Sequence, residues 1–135
     1  MNPYVRATGY NAETFQTYIR WSNENSIVIL QVEGMEGVDN IDAILAYPGV
    51  DILFLGPYDL SQSLAMPGRI DDPAVIEKME RVVLKAAQKG IVVGTFADTP
   101  DRAQKWIDLG VKYIALGCDT KFLLDGARAV ISALK

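Results

Sequence analysis

Glu33 and Asp59 are the two side chains best placed to do chemistry, because each closes a run of strand-like residues. Ile27 to Val32 precede Glu33, and Ile52 to Leu55 precede the turn Gly56-Pro57-Tyr58-Asp59. In parallel α/β arrays, ligands and catalytic groups gather at the carboxyl ends of the strands. Two acids at neighbouring strand tips can share one hard divalent cation through oxygen ligands. The chain has no histidine, which removes the usual neutral-pH base and every histidine metal site. Its one cysteine, Cys118, allows no intrachain disulfide, so a reducing cytoplasm is the expected compartment.

The elements that must hold these acids alternate almost without gaps. Residues 11–25 predict a helix with Phe15, Tyr18 and Ile19 at helical spacing and Asn11 as its cap. A strand follows over residues 26–31. Val38, Ile41, Ile44 and Leu45 make one face of a short helix, stopped by Pro48-Gly49. The second strand covers residues 51–55. Residues 56–72 then read as a long, turn-rich loop, in which Asp59 is either a functional acid or the cap of a short helix beginning at Leu60. Asp72-Pro73 starts the next helix, its apolar stripe running from Val75 to Ala87 and its end marked by Gly90. A third strand over residues 91–96, a helix opened by Thr99-Pro100, a fourth strand over 112–116 and a last helix from about Asp119 complete the pattern.

Continuous Val, Ile and Leu strands separated by amphipathic helices mean a parallel sheet covered by helices, in a single domain over residues 1–135. Four βα units suit either a small doubly wound domain or half of an eight-fold barrel, which takes about 250 residues when complete. The net charge of −4 comes with both signs interspersed and no basic stripe, so nucleic acid is an unexpected partner. Apolar runs stay strand-sized, far below the roughly 20 residues of a membrane helix. The first residues, Met1-Asn2-Pro3-Tyr4, lack the regions of a secretory signal.

At Gln31-Val32-Glu33 and along Gly49 to Ser61 the chain resembles the HpcH/HpaI aldolases, class II metal-dependent pyruvate aldolases built on (β/α)8 barrels. The segment Gly56-Pro57-Tyr58-Asp59-Leu60-Ser61, with an acid 26 positions upstream, carries most of the likeness. It extends from about Arg6 to the end and includes Gly117-Cys118-Asp119-Thr120. The resemblance implies four βα units forming the C-terminal half of a barrel. It also implies a divalent metal (Mg²⁺ or Mn²⁺, with Co²⁺ a further candidate) on Glu33 and Asp59. Gln31 would hydrogen-bond around metal and substrate. Gly56, Pro57, Tyr58 and Asp59 would form the turn that holds a pyruvate carboxylate, with Tyr58 and Asp59 supplying the N–H donors because proline has none. The implied reaction is retro-aldol cleavage of a 4-hydroxy-2-oxo acid to pyruvate and an aldehyde; lyases of acyl-CoA esters are a related alternative. A histidine that works with the base, and an arginine that steadies the oxyanion, belong to the family's N-terminal half. No catalytic residue is therefore assigned here, and Arg6 lies too near the start to be that arginine. Ala65 stands where the family commonly carries a glycine.

For each acid there is a plainer alternative. Glu33 could merely cap a turn, and Asp51, which opens a strand at the far end of the sheet, reads as structural. Gln31 reads as a polar residue of a barrel lumen that needs partners with or without substrate. Tyr58 either closes over a pocket or only covers its own loop. Gly94 and Gly117 are better explained by close packing than by phosphate binding. Trp21 and Trp106 read as core or interface aromatics, and Asp119 as the cap of the last helix. A half-barrel has two open strand edges, so pairing of two copies or association with a complementary barrel half is expected. A catalytically silent half-barrel that binds metal and oxo acid, or a purely structural subunit, are the competing functions.

Overall fold

The computed structural model describes Asn2 and residues 4–134. Four strands form one parallel sheet in chain order: β1 (Ile29–Val32), β2 (Ile52–Leu55), β3 (Val92–Ala97) and β4 (Tyr113–Leu116). Helix α1 (Phe15–Asn25) precedes the sheet. Helices α2 (Met35–Asp39) and α3 (Ile41–Ala46) link β1 to β2. Helices α4 (Pro57–Ser63) and α5 (Pro73–Gln88) link β2 to β3; α6 (Pro100–Asp108) links β3 to β4, and α7 (Asp119–Ala133) ends the chain.

The alternation of side chains along each strand decides which face is core. Val32, Leu53, Leu55 and Val93 point to the helical layer, where Val38 and Ile41, then Val75, Met79 and Val82, then Trp106 meet them in one buried cluster. Thr95 shares that face, and its hydroxyl donates to the Leu55 carbonyl at 2.9 Å, so its polar atom is satisfied. On the opposite face the register aligns Gln31, Phe54, Gly94 and Tyr113 in a row across all four strands. The Phe54 and Tyr113 rings meet edge to face at 5.7 Å over Gly94. A Cβ on Gly94 would lie 2.7 Å from the Tyr113 ring, so close packing explains this glycine. Gln31 and Tyr113 are exposed there, because nothing among the described residues covers this face.

Several boundaries differ from the expected ones, each for a local reason. The helix expected around Val38 to Leu45 breaks at Asn40, whose side chain donates to the Glu36 carbonyl at 2.8 Å instead of letting the turn continue. The stretch read as loop, residues 56–72, holds the seven-residue α4; its Pro57 sits at the first helical position, where no N–H is needed. Asp59 is therefore inside the first turn, not at its cap, which is Gly56. Asp119 is likewise the first helical residue of α7, and Cys118 occupies the cap. Asn11 accepts from the Glu13 N–H in a turn ahead of α1, whose cap position is Thr14. The expected caps Asp72 and Thr99 do accept from Ala74 and Arg102 N–H. Asp51 is structural as read: its carboxylate accepts from the Val28 N–H at 2.7 Å and ties the start of β2 to the run before β1. Ala65, at φ 58°, adopts the left-handed backbone that glycine enters most easily.

Candidate functional site

The parallel register carries the two acids to one end of the sheet. Val32 and Leu55 are paired at the ends of β1 and β2, and the Gly56 N–H extends the ladder to the Val32 carbonyl at 3.2 Å. Glu33 and Gly56 consequently leave the sheet side by side. Gln31 and Glu33, two apart on one strand, share a face, and the Gln31 amide donates to Glu33 Oε2 at 2.5 Å. Gly56 closes the group. A Cβ there would lie 2.9 Å from Glu33 Cβ, 3.1 Å from Glu33 Oε2 and 3.3 Å from Gln31 Nε2. Three of the expected site residues are thus in mutual contact. The Gln31 reading needs one correction: the residue is exposed in this chain rather than enclosed in a lumen, and its partner is Glu33.

The turn following Gly56 supplies the other three. Pro57 is buried, whereas Tyr58 and Asp59 are exposed. The first helical bond of α4 runs from Leu60 N–H to the Gly56 carbonyl at 3.0 Å, so the Tyr58 and Asp59 N–H groups precede the ladder. Among the described residues no hydrogen bond or ion pair engages the Asp59 carboxylate, which argues against a capping role. Ser61 explains the serine of the motif. It is fully buried, its hydroxyl donates to the Tyr58 carbonyl at 2.6 Å and accepts from the Gly68 N–H at 3.0 Å, and so it staples the following loop onto α4.

The donor chemistry suits a hard divalent cation: Glu33 and Asp59 offer carboxylate oxygens at the same end of the sheet, and among the described residues the Asp59 carboxylate is not committed to another group. Among the described residues no group of three or more His, Cys, Asp or Glu side chains is gathered at this end or elsewhere.

Four residues around Tyr58 were not singled out by sequence reasoning: Phe96, Asp98, Arg102 and Asp71. The Tyr58 hydroxyl donates to Asp98 Oδ2 at 2.8 Å, and its ring lies 6.1 Å from that of Phe96. Asp98, just past β3, also accepts from Arg102 Nη1, while Arg102 grips both oxygens of Asp71. The hydrogen bond to Asp98 pushes the Tyr58 phenol above its ordinary value. Partial burial pushes Asp98 up, but the hydrogen bonds from Arg102 and Tyr58 outweigh it and hold the carboxyl below the usual range. The only sequence signal was the i, i+4 pairing of Asp98 with Arg102 at a helix start. Beside this network a cavity of about 390 Å³ opens between α5 and α6, lined by Pro57, Ile70, Phe96 and Trp106 among others. At the fourth strand tip Cys118 is exposed, its thiol drawn below the ordinary value by the Thr120 hydroxyl and the Lys121 N–H. Gly117, at φ 66°, leaves space that the Phe122 ring fills, 2.5 Å from where a Cβ would be.

Comparison with known proteins bears on the family and the fold. A hydroxypyruvate/pyruvate aldolase of Paraburkholderia phytofirmans is 34% identical over 131 residues, covering 97% of this chain and 50% of that protein. A 5-keto-4-deoxy-D-glucarate aldolase of Citrobacter koseri is 31% identical over 122 residues, covering 90% of this chain and 48% of its own length. The crystal structure of an HpcH/HpaI aldolase/citrate lyase family protein from Burkholderia cenocepacia superposes with a TM-score of 0.89 at 36% identity, over 96% of this chain and 50% of that one. The chain spans about half the length of the curated relatives it matches, and its four strands correspond to half of their (β/α)8 barrel. Residues 5–126 match the HpcH/HpaI aldolase/citrate lyase family, and the chain belongs to it.

Proposed function

We propose that this chain carries the metal-binding half of an aldolase site, which cleaves a 4-hydroxy-2-oxo acid to pyruvate and an aldehyde. The observation that carries the reading is the contact of Gln31, Glu33 and Gly56 at the carboxyl ends of two neighbouring strands, one turn from Asp59. The names of the relatives, aldolases of hydroxypyruvate and of a keto-deoxy sugar acid, support the same class of substrate.

In the forward cleavage the bond between C3 and C4 breaks. Its electron pair stays on C3 and delocalises as the pyruvate enolate, while the C4 hydroxyl loses a proton and becomes the aldehyde carbonyl; return of a proton to C3 then gives pyruvate. Glu33 and Asp59 would hold the divalent cation, which when bound supplies positive charge to the keto oxygen as the enolate develops. Gln31 fixes the Glu33 carboxylate through its amide N–H. Tyr58 and Asp59 offer backbone N–H groups to the substrate carboxylate at the start of α4, where the orphan donors of a helix favour an anion. The proton acceptor and the arginine belong to the half of the barrel beyond these four βα units. That half, whether supplied by the same polypeptide or by another chain, would cover the open face of the sheet and pair with β1 and β4.

Calorimetric titration of Mn²⁺ with and without pyruvate tests the reading. The expected result is pyruvate-enhanced Mn²⁺ binding that Glu33→Gln weakens at least about tenfold, the loss of one charged ligand. Binding without retro-aldol activity would favour a silent metal and oxo-acid binder. No binding would leave a structural unit of the family.

A further inference from the structure

We propose that Tyr58, Asp98 and Arg102 are positioning residues of this site, forming a side-chain brace that holds the Gly56–Asp59 turn against Glu33. The proposal rests on the aldolase reading above. It adds that the turn is held from outside, by groups of the next βα unit, β3–α6.

The brace joins three segments that are distant in sequence, around Tyr58, Asp71 and Asp98–Arg102. Tyr58, the second residue of α4, donates its hydroxyl to Asp98 at the tip of β3. Asp98 accepts in turn from Arg102 in the first turn of α6, and the remaining guanidinium edge holds both oxygens of Asp71 in the loop before α5. Next along the chain from Asp71, Asp72 caps α5 by accepting from the Ala74 N–H. One guanidinium thus joins the α4–α5 loop to the β3 tip, and through Asp98 it reaches the turn itself.

Surface ion pairs usually contribute little, since two flexible chains must be ordered in water. This one is different in kind. Arg102 and Asp98 side chains are only 30% and 19% exposed, and the grip on Asp71 uses two parallel N–H donors. Asp98 also has both oxygens committed, one to Tyr58 and one to Arg102. An acid at the tip of β3, beside the β2 tip, would otherwise be free to compete for a cation held at Glu33 and Asp59. The turn has few other anchors for its exposed part. Ser61 fixes its far end by accepting from Gly68 and donating to the Tyr58 carbonyl, and Gly56 fixes its near end on Val32. Between them Tyr58 is bonded through its side chain only to Asp98, and Asp59 follows it directly. A shift of the Tyr58 backbone therefore moves the carboxylate of Asp59.

The experiment uses Tyr58→Phe, Asp98→Asn and the double variant, each titrated with Mn²⁺ in the presence of pyruvate and melted without metal. Tyr58→Phe keeps the ring against Phe96 and removes only the hydroxyl, so it covers the case in which Asp98→Asn, by leaving Arg102 short of a partner, fails to fold. The expected result is Mn²⁺ binding about three- to tenfold weaker in each single variant, at a melting point of Tyr58→Phe close to that of the parent. The double variant should bind no more weakly than the worse single one, because both act through one contact. Unchanged binding in Tyr58→Phe overturns the brace and leaves the aldolase reading intact. A binding loss that tracks a lowered melting point overturns it as well, since the contact would then be structural only. Absence of pyruvate-assisted Mn²⁺ binding in the parent protein overturns the aldolase reading and the brace with it.

Discussion

Gly56 has no side chain because the space one would occupy belongs to Glu33. Gly56→Ala would bring a methyl to 2.9 Å from Glu33 Cβ, an atom fixed to the backbone of β1 that cannot swing aside. The backbone angles of Gly56 are ordinary for any residue, so the penalty is contact and not conformation. Such overpacking costs about 1–3 kcal/mol; thermal melting of Gly56→Ala should show a loss of that size, together with weakened Mn²⁺ binding. A melting point equal to the parent's would mean that the two strand tips can separate freely. Gln31 and Glu33 were each named from sequence but not as partners, although residues two apart on a strand share a face and can meet. The brace was not. Tyr58 and Asp98 lie 40 positions apart and Arg102 and Asp71 lie 31 apart, so only the folded chain brings them together.

At the scale of elements, α4 shows how a short helix can hide in a turn-rich sequence. Pro57 reads as punctuation, yet it fills the one helical position that needs no N–H, and Ser61 closes the loop behind it. Ser61→Ala would remove the acceptor of the Gly68 N–H; Gly68 is exposed, so water can replace that bond and the loss is about 0.5–1.5 kcal/mol. The expected outcome is a drop in unfolding free energy of that order in urea titration, with amide exchange faster in residues 64–70 than in β2. Equal exchange would show the loop is held by other contacts. The strands were readable in number, order and direction because their Val, Ile and Leu runs bury one face against α3, α5 and α6. The division of α2 from α3 was not, since it depends on one asparagine side chain turning back on its own helix. In α7 the apolar stripe of Phe122, Leu123, Val130 and Ile131 is present as expected, but none of it is buried. Periodicity reveals that a face is apolar and says nothing of what will cover it.

At the scale of the whole molecule, the sheet has a packed side and an open one. Ile29 and Tyr113 are exposed on its open side, Trp21 on α1 and Leu134 beyond α7 are exposed too, and β1 and β4 each have one neighbour. Patches of this extent mark surfaces that associate. Static light scattering should show an apparent mass that rises with protein concentration, and a mass independent of concentration would mean that the open face is stable in water. The order of the strands has a kinetic side as well. Each strand pairs with its immediate predecessor in the chain, β1 with β2, β2 with β3 and β3 with β4, so no pairing waits for a segment made much later. During synthesis every new βα unit leaves the ribosome with its docking edge already assembled. Among these four strands the sheet can therefore grow vectorially, one unit at a time.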